Sequence, residues 1–209
     1  AGAKFVLTDG VKQNMEVFKD IVRRRGIPLS VYVDRDSNFK TTRHQGMEYR
    51  LKGVYPSTQF ARALEELGIR MIYAYSPQAK GRIERKFGVF PRLWRGSELR
   101  LHNISTLEDA NRYLWEKFIP QHNRMFSRTA KEPGSAYRPL PKGVSLKHVF
   151  CLKEERTVAG DNTISYQGKI FQILPNEYRL SFVKAKVKVH EHLDGSIHIF
   201  YQLAGGERS

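Results

Sequence analysis

Apolar residues recur at helical spacing through Val11, Met15, Phe18 and Val22, and Gly26 followed by Pro28 supplies a stop, which predicts an amphipathic helix. Ahead of it, residues 1–7 read as an apolar strand that opens the chain without a cap, a loop or an initiator Met, as a fragment would. A short β-branched strand is expected over 30–33, delivering Asp34 to its carboxyl end, where open α/β sheets present their chemistry. Residues 40–56 are polar and without periodicity, so they read as an inserted loop. Ser57 is placed to cap a helix whose apolar face is Phe60, Leu64 and Leu67, and Gly68 suits the left-handed position after its end. A strand over 69–74, a loop over 75–81 and a helix carrying Ile83, Glu84 and Phe87 follow. Thr106 with Asp109 starts a further helix through Leu107, Ala110, Leu114 and Phe118.

Beyond Asn123 this alternation of strand and helix stops. Residues 124–143 are basic and contain Pro and Gly, and read as a linker. From there on the chain is β-rich, with strands expected over 149–158, 163–166, 170–174, 180–189 and 196–201. Gly-Asp-Asn, Gln-Gly-Lys, Pro-Asn-Glu and Asp-Gly turns separate them, which suggests a small barrel. Lys184, Lys186 and Lys188 alternate with Val183, Ala185, Val187 and Val189, so a pleated strand would turn the lysines to one face. That face could hold DNA or be an ordinary solvated face.

Composition narrows the partners. The 209 residues carry 36 Lys and Arg against 21 Asp and Glu, a formal charge of +15, which favours polyanions and leaves nucleic acid, a ribosome or a membrane surface to be separated by motifs. The one cysteine, Cys151, leaves no intrachain disulfide or multi-cysteine zinc site and points to a reducing interior; it reads as a small apolar residue at a strand start. No apolar run has the roughly 20 residues that span a bilayer. The seven histidines show no metal-ligand spacing. Arg23, Arg24 and Arg25 suit a helix carboxyl end, and Trp94 and Trp115 read as core or interface anchors.

Two carboxylates stand at junctions: Asp34 where a strand ends, and Glu84 in the first turn of a helix. Alone, each is the common exposed acid of a turn or a helix start. Their surroundings say more. Asp34-Arg35-Asp36-Ser37-Asn38-Phe39 resembles the segment around the second acid of the retroviral-integrase superfamily, which includes bacterial insertion-sequence transposases, with Asp36 where that family usually has Gly. Ser76-Pro77-Gln78, Gly81, Glu84 and Arg85 resemble the loop and helix that bear its third acid. Asn123, Thr129 and Pro133 resemble the end of the integrase core. Between the acids lie 49 residues, against roughly 35 in the family. The excess falls in 40–56, where extra loop length costs little entropy.

The resemblance covers nearly the whole chain. It implies an α/β ribonuclease H-like integrase core over 1–123, amino-terminally truncated, a basic linker over 124–145, and a small all-β SH3-like barrel over 146–209 with a DNA-binding or assembly role. It implies a DDE-type transposase whose intact form uses two Mg²⁺ or Mn²⁺ ions to cleave 3′ ends and transfer strands, with Asp34 and Glu84 as catalytic metal ligands. The family's first Asp lies on an earlier strand and has no match here, so the resemblance implies that the fragment alone is inactive. Gln78, Lys80, Arg82, Arg85, Lys86, Lys184, Lys186 and Lys188 are the DNA-binding candidates. The implied partners are double-stranded DNA, as transposon ends and target, and further copies of the protein; the implied compartment is the bacterial cytoplasm at the nucleoid. The alternative is a non-catalytic DNA-binding or assembly module from a degenerate transposase. A ribonuclease acting on RNA hybrids would share fold and metal chemistry, but the segment around Glu84 and the appended β domain favour transposition.

Overall fold

The computed structural model describes residues 2–33, 57–73, 98–127, 133–177, 179–203 and 206–208. The chain divides into two compact units, Ala1–Val144 and Ser145–Ser209. Among the described residues no helix is long and apolar enough to cross a membrane.

In the first unit, α1 spans Val11–Arg25 and buries Met15 and Val22, with Arg23, Arg24 and Arg25 in its last turn as the dipole favours. It ends at Gly26, whose φ of 88° is open to glycine and strained for other residues. β1 (Ile27–Pro28) and β2 (Ser30–Val33) follow. Helix α2 (Gln59–Glu66) buries Phe60, Ala61, Ala63 and Leu64. Its cap is Thr58 rather than the expected Ser57: the Thr58 hydroxyl accepts from the Ala61 amide at 3.1 Å, while Ser57 donates to Glu65. Gly68 takes the expected left-handed conformation at φ 62°. β3 (Arg70–Tyr73) pairs in parallel with β2, Val31 opposite Met71 and Val33 opposite Tyr73. The Phe18 and Phe60 rings meet edge to face at 5.6 Å, joining α1 to α2.

Residues 2–6 form no strand. Asn111 pairs with the Phe5 backbone instead, accepting from the Phe5 amide at 2.8 Å and donating to the Phe5 carbonyl at 3.0 Å, so at this residue a side-chain amide stands where a neighbouring strand would. Asn111 belongs to α4 (Leu107–Tyr113), which follows the short α3 (Glu98–Leu101) and is capped by Thr106, as expected. From Leu114 to Phe118 the turns widen into a π-helical segment before α5 (Ile119–Phe126). Pro120 explains this: it has no N–H for the carbonyl one turn back, and its ring would crowd that carbonyl in an unbroken α-helix. The consequence is a shift in the buried face, from the expected Leu114 and Phe118 to Leu114 and Ile119, with Ala3, Phe5, Trp115 and Phe118 packed around them.

The stretch expected to be a linker is not free of structure. α5 runs through Phe126, and β4 (Tyr137–Arg138) pairs antiparallel with β1, Ile27 opposite Arg138. Residues up to Val144 belong to the first unit.

The second unit opens with α6 (Leu146–Val149), then β5 (Cys151–Thr157), β6 (Thr163–Tyr166), β7 (Lys169–Gln172), β8 (Lys186–His192), β9 (Ile197–Leu203) and β10 (Gly206–Arg208). Its strands form a four-stranded sheet in the order β10-β9-β8-β5 and a separate β6-β7 hairpin. The hairpin turns through Gln167 and Gly168, both at positive φ, the two-residue geometry whose twist matches the strands. Val158, Ile164, Tyr166, Phe182, Val187 and Val189 make the core. The expected strand over 180–189 starts only at Lys186. Phe182 is drawn into the core, its amide bonded to the Asn162 side chain at 2.7 Å, and the chain then turns, Ala185 N–H to Phe182 C=O, with Lys184 at φ 61°.

Candidate functional site

Val33, which precedes Asp34 in the chain, is the buried last residue of β2 and stands opposite Tyr73, the last residue of β3. The two parallel strands therefore end together, and the segments bearing the two expected acids both continue from that edge. Asp34 and Glu84 themselves lie outside the described residues, as do Gln78, Lys80, Arg82, Arg85 and Lys86. Val33 also lines a cleft of about 680 Å³, shared with the 2–5 segment, α1, Phe60 and Leu114.

The lysine series splits. Lys186 and Lys188 lie on β8 and share one face, as the alternation predicts, but Lys184 is in the turn before it. Lys186 is engaged by Glu155 at 2.9 Å across the strand pair. In the first unit, Arg24 stacks over the Trp115 ring at 4.5 Å, consistent with Trp115 as an anchor, while Trp94 lies outside the described residues.

The face of β8 that carries the two lysines continues into His190 and His192, and here the structure departs from the reading that the histidines have no ligand spacing. Side chains two apart on a strand point the same way, and the Asp194-Gly195 turn brings β9 back so that His198 stands opposite His190. His148, from α6, completes the group. The ligand nitrogens of His148, His190 and His192 all lie within 4.8 Å of one another. The sequence signal was present in the pair His190 and His192 with His198 after a tight turn; the contribution of His148, 42 residues before His190, depends on tertiary packing.

A chain of hydrogen bonds orients His192. Lys147 pairs with Asp194 at 3.0 Å, Asp194 accepts from the Ser196 hydroxyl at 2.6 Å, and Ser196 Oγ lies 3.0 Å from His192 Nδ1. Since the hydroxyl proton goes to Asp194, Ser196 Oγ accepts from His192, which puts the imidazole proton on Nδ1 and leaves Nε2 bare. That bare Nε2 lies 3.2 Å from His148 Nδ1. Burial, then the neighbouring His198, Lys147 and His148, push the His192 pKa down to about 4, so the ring is neutral at pH 7. Bonds from Ser196, and then Lys147, hold the Asp194 carboxyl well below the ordinary range. On the opposite face of β8, buried Glu191 accepts from the Tyr166 hydroxyl at 2.8 Å and from Gln167 at 2.6 Å. Cys151 is buried at the start of β5, as expected, and its thiol lies 3.1 Å from the His148 carbonyl.

No protein-family model matches the chain. It is similar to a Sinorhizobium fredii protein named "Putative transposase y4bF", 31% identical over 198 residues that make up 94% of this chain and 42% of that protein. It is also similar to the transposase for insertion sequence IS1202 of Streptococcus pneumoniae, 28% identical over 200 residues, 95% of this chain and 41% of that one. The chain spans about two fifths of the length of these curated relatives. Similarity to proteins named as transposases thus runs along nearly all of its sequence.

Proposed function

We propose that this chain is part of a DDE-type DNA transposase, in which a ribonuclease H-like core carries Asp34 and Glu84 and a small SH3-like β domain contributes basic surface. The observation that carries this reading is the similarity to two transposases over 94% and 95% of the chain. The common end of the parallel strands β2 and β3, with Asp34 next after Val33, supports it. Asp34 and Glu84 offer hard carboxylate oxygens, the donor type that suits Mg²⁺ or Mn²⁺. Such ions, when bound, would lower the cost of developing charge on the phosphate oxygens. Lys80, Arg82, Arg85 and Lys86 would neutralise phosphates of the transposon end, with Gln78 contacting the same DNA. In the reaction, water displaces one strand at phosphorus to free a 3′ hydroxyl, and that hydroxyl then displaces a target strand in line, with no covalent bond to the enzyme.

The chain spans about two fifths of the length of its relatives, so the test uses the whole coding sequence with its cognate DNA ends. Mg²⁺- or Mn²⁺-dependent nicking and strand transfer are expected. Glu84→Gln keeps shape and removes charge, so both activities should fall by orders of magnitude while DNA binding stays nearly unchanged. Undiminished strand transfer by Glu84→Gln would exclude Glu84 as a metal ligand. A wild-type protein silent with both metals and the correct ends would favour a non-catalytic DNA-binding or assembly module.

A further inference from the structure

We infer that His148, His190 and His192 form a binding site for a divalent cation of the zinc class, which ties α6 to β8. The inference is independent of the catalytic reading of Asp34 and Glu84.

Three imidazoles converge from two elements, and their nitrogens all lie within 4.8 Å of one another. Two nitrogens bound tetrahedrally to one zinc, each about 2.0 to 2.1 Å from it, are about 3.3 Å apart. His192 Nε2 and His148 Nδ1 are 3.2 Å apart, already at that separation, and a His190 nitrogen lies within 4.8 Å of the group. The outer contacts also fit. A metal-binding imidazole characteristically donates its second N–H to an oxygen that fixes its tautomer. His192 does so to Ser196, which is held in turn by Asp194 and Lys147. The bare nitrogen therefore faces the His148 ring.

The donors define the class of ion. Three imidazole nitrogens without a carboxylate among them suit zinc, nickel or copper, and are poor ligands for the Mg²⁺ or Mn²⁺ of phosphoryl transfer. His198 is exposed, with its ring centroid 4.6 Å from that of His192. The site's use is structural. The unit from Ser145 to Ser209 has a single cysteine and so no disulfide of its own, and domains of this size commonly need a staple beyond their core.

The experiment takes the full chain, stripped of metal by a chelator, and titrates it with Zn²⁺ against a chromophoric competitor, while NMR follows the histidine ring signals. One equivalent should bind, shifting the rings of His148, His190 and His192, and the thermal midpoint should rise with Zn²⁺ concentration. Ser196→Ala should weaken binding about tenfold to a hundredfold by releasing the His192 tautomer. His148→Gln should abolish the one-equivalent binding; it sits on a short, partly exposed helix, and its circular dichroism checks that the fold survives. His102→Gln, in the other unit, should change nothing. Absence of binding, ring shifts confined to other histidines, or undiminished affinity in folded His148→Gln would overturn the site and leave only a hydrogen-bonded histidine pair.

Discussion

Asn111 grips Phe5 by both of its backbone polar groups, accepting from the amide at 2.8 Å and donating to the carbonyl at 3.0 Å. Its Nδ2 also reaches the Leu107 carbonyl at 3.0 Å, so the contact fixes the 2–6 segment to a particular turn of α4. Asn111→Leu removes all three bonds and should destabilise the first unit by about 1 to 3 kcal/mol, the range for loss of part-buried hydrogen bonds. Hydrogen exchange should quicken most at the Phe5 amide. Asn111→Asp keeps the acceptor for that amide and should protect it better than Leu does. Equal exchange at Phe5 in wild type and Asn111→Leu would show that the segment is held by its apolar packing alone.

The same contact marks the limit of what the sequence shows. An apolar run such as 1–7 predicts burial, and Phe5 is indeed packed with Leu114 and Ile119, but it does not say whether a strand or a side chain completes the backbone hydrogen bonds. Elements governed by local periodicity were legible: α1, β2, α2, β3 and the hairpin turn at Gln167-Gly168 lie where their patterns put them. Features set by one residue's geometry were missed, as with the π-helical turn ahead of Pro120 and the turn that takes Lys184 out of β8. The β4 pairing was hidden because a two-residue strand has no period to read. The histidine group was hidden for a different reason, since it joins residues on one face of a sheet to one on a helix far back in sequence.

Arg138 makes the supposed linker part of the first unit. Its guanidinium donates to the Leu67 carbonyl at the end of α2, and its own carbonyl lies 2.5 Å from where a Gly26 Cβ would sit. Gly26→Ala meets both that clash and a positive φ, and should cost about 1 to 3 kcal/mol. Arg138→Ala should loosen the Leu67 carbonyl and increase hydrogen exchange at β1. Urea unfolding of the two variants tests this, and wild-type stability in Gly26→Ala would mean that β4 shifts away freely.

Tyr166 carries a pH prediction. Burial first, and then its bond to Glu191, raise the phenol above its ordinary pKa of about 10. The folded chain thus keeps this proton to higher pH than the unfolded chain does. The stabilisation is fully present below about pH 10 and is lost as pH rises through the raised folded value. Tyr166→Phe should cost about 1 to 2 kcal/mol at pH 7, where it deprives buried Glu191 of a donor. The gap between wild type and variant in chemical denaturation should narrow above pH 10. A gap constant to pH 11 would show that Tyr166 does not titrate between the two states.

DNA binding by this chain should be governed by charge. With 36 Lys and Arg against 21 Asp and Glu, phosphate contacts are expected to dominate, and log affinity should fall by about 0.9 per neutralised phosphate for each tenfold rise in salt, with little sequence preference. The β8 face gives this a residue-level form. Lys186 is paired with Glu155, so DNA would have to compete with a carboxylate for it, and exposed Lys184 points from a separate turn. Replacing Lys184, Lys186 and Lys188 together by Gln should lower both the affinity at low salt and the salt slope if this face meets phosphate. Replacing Glu155 by Gln should raise the affinity modestly by releasing Lys186. A triple variant with wild-type affinity and slope would assign the DNA contacts to other basic residues, and a wild-type chain that fails to bind duplex DNA at low salt would remove DNA as its principal partner.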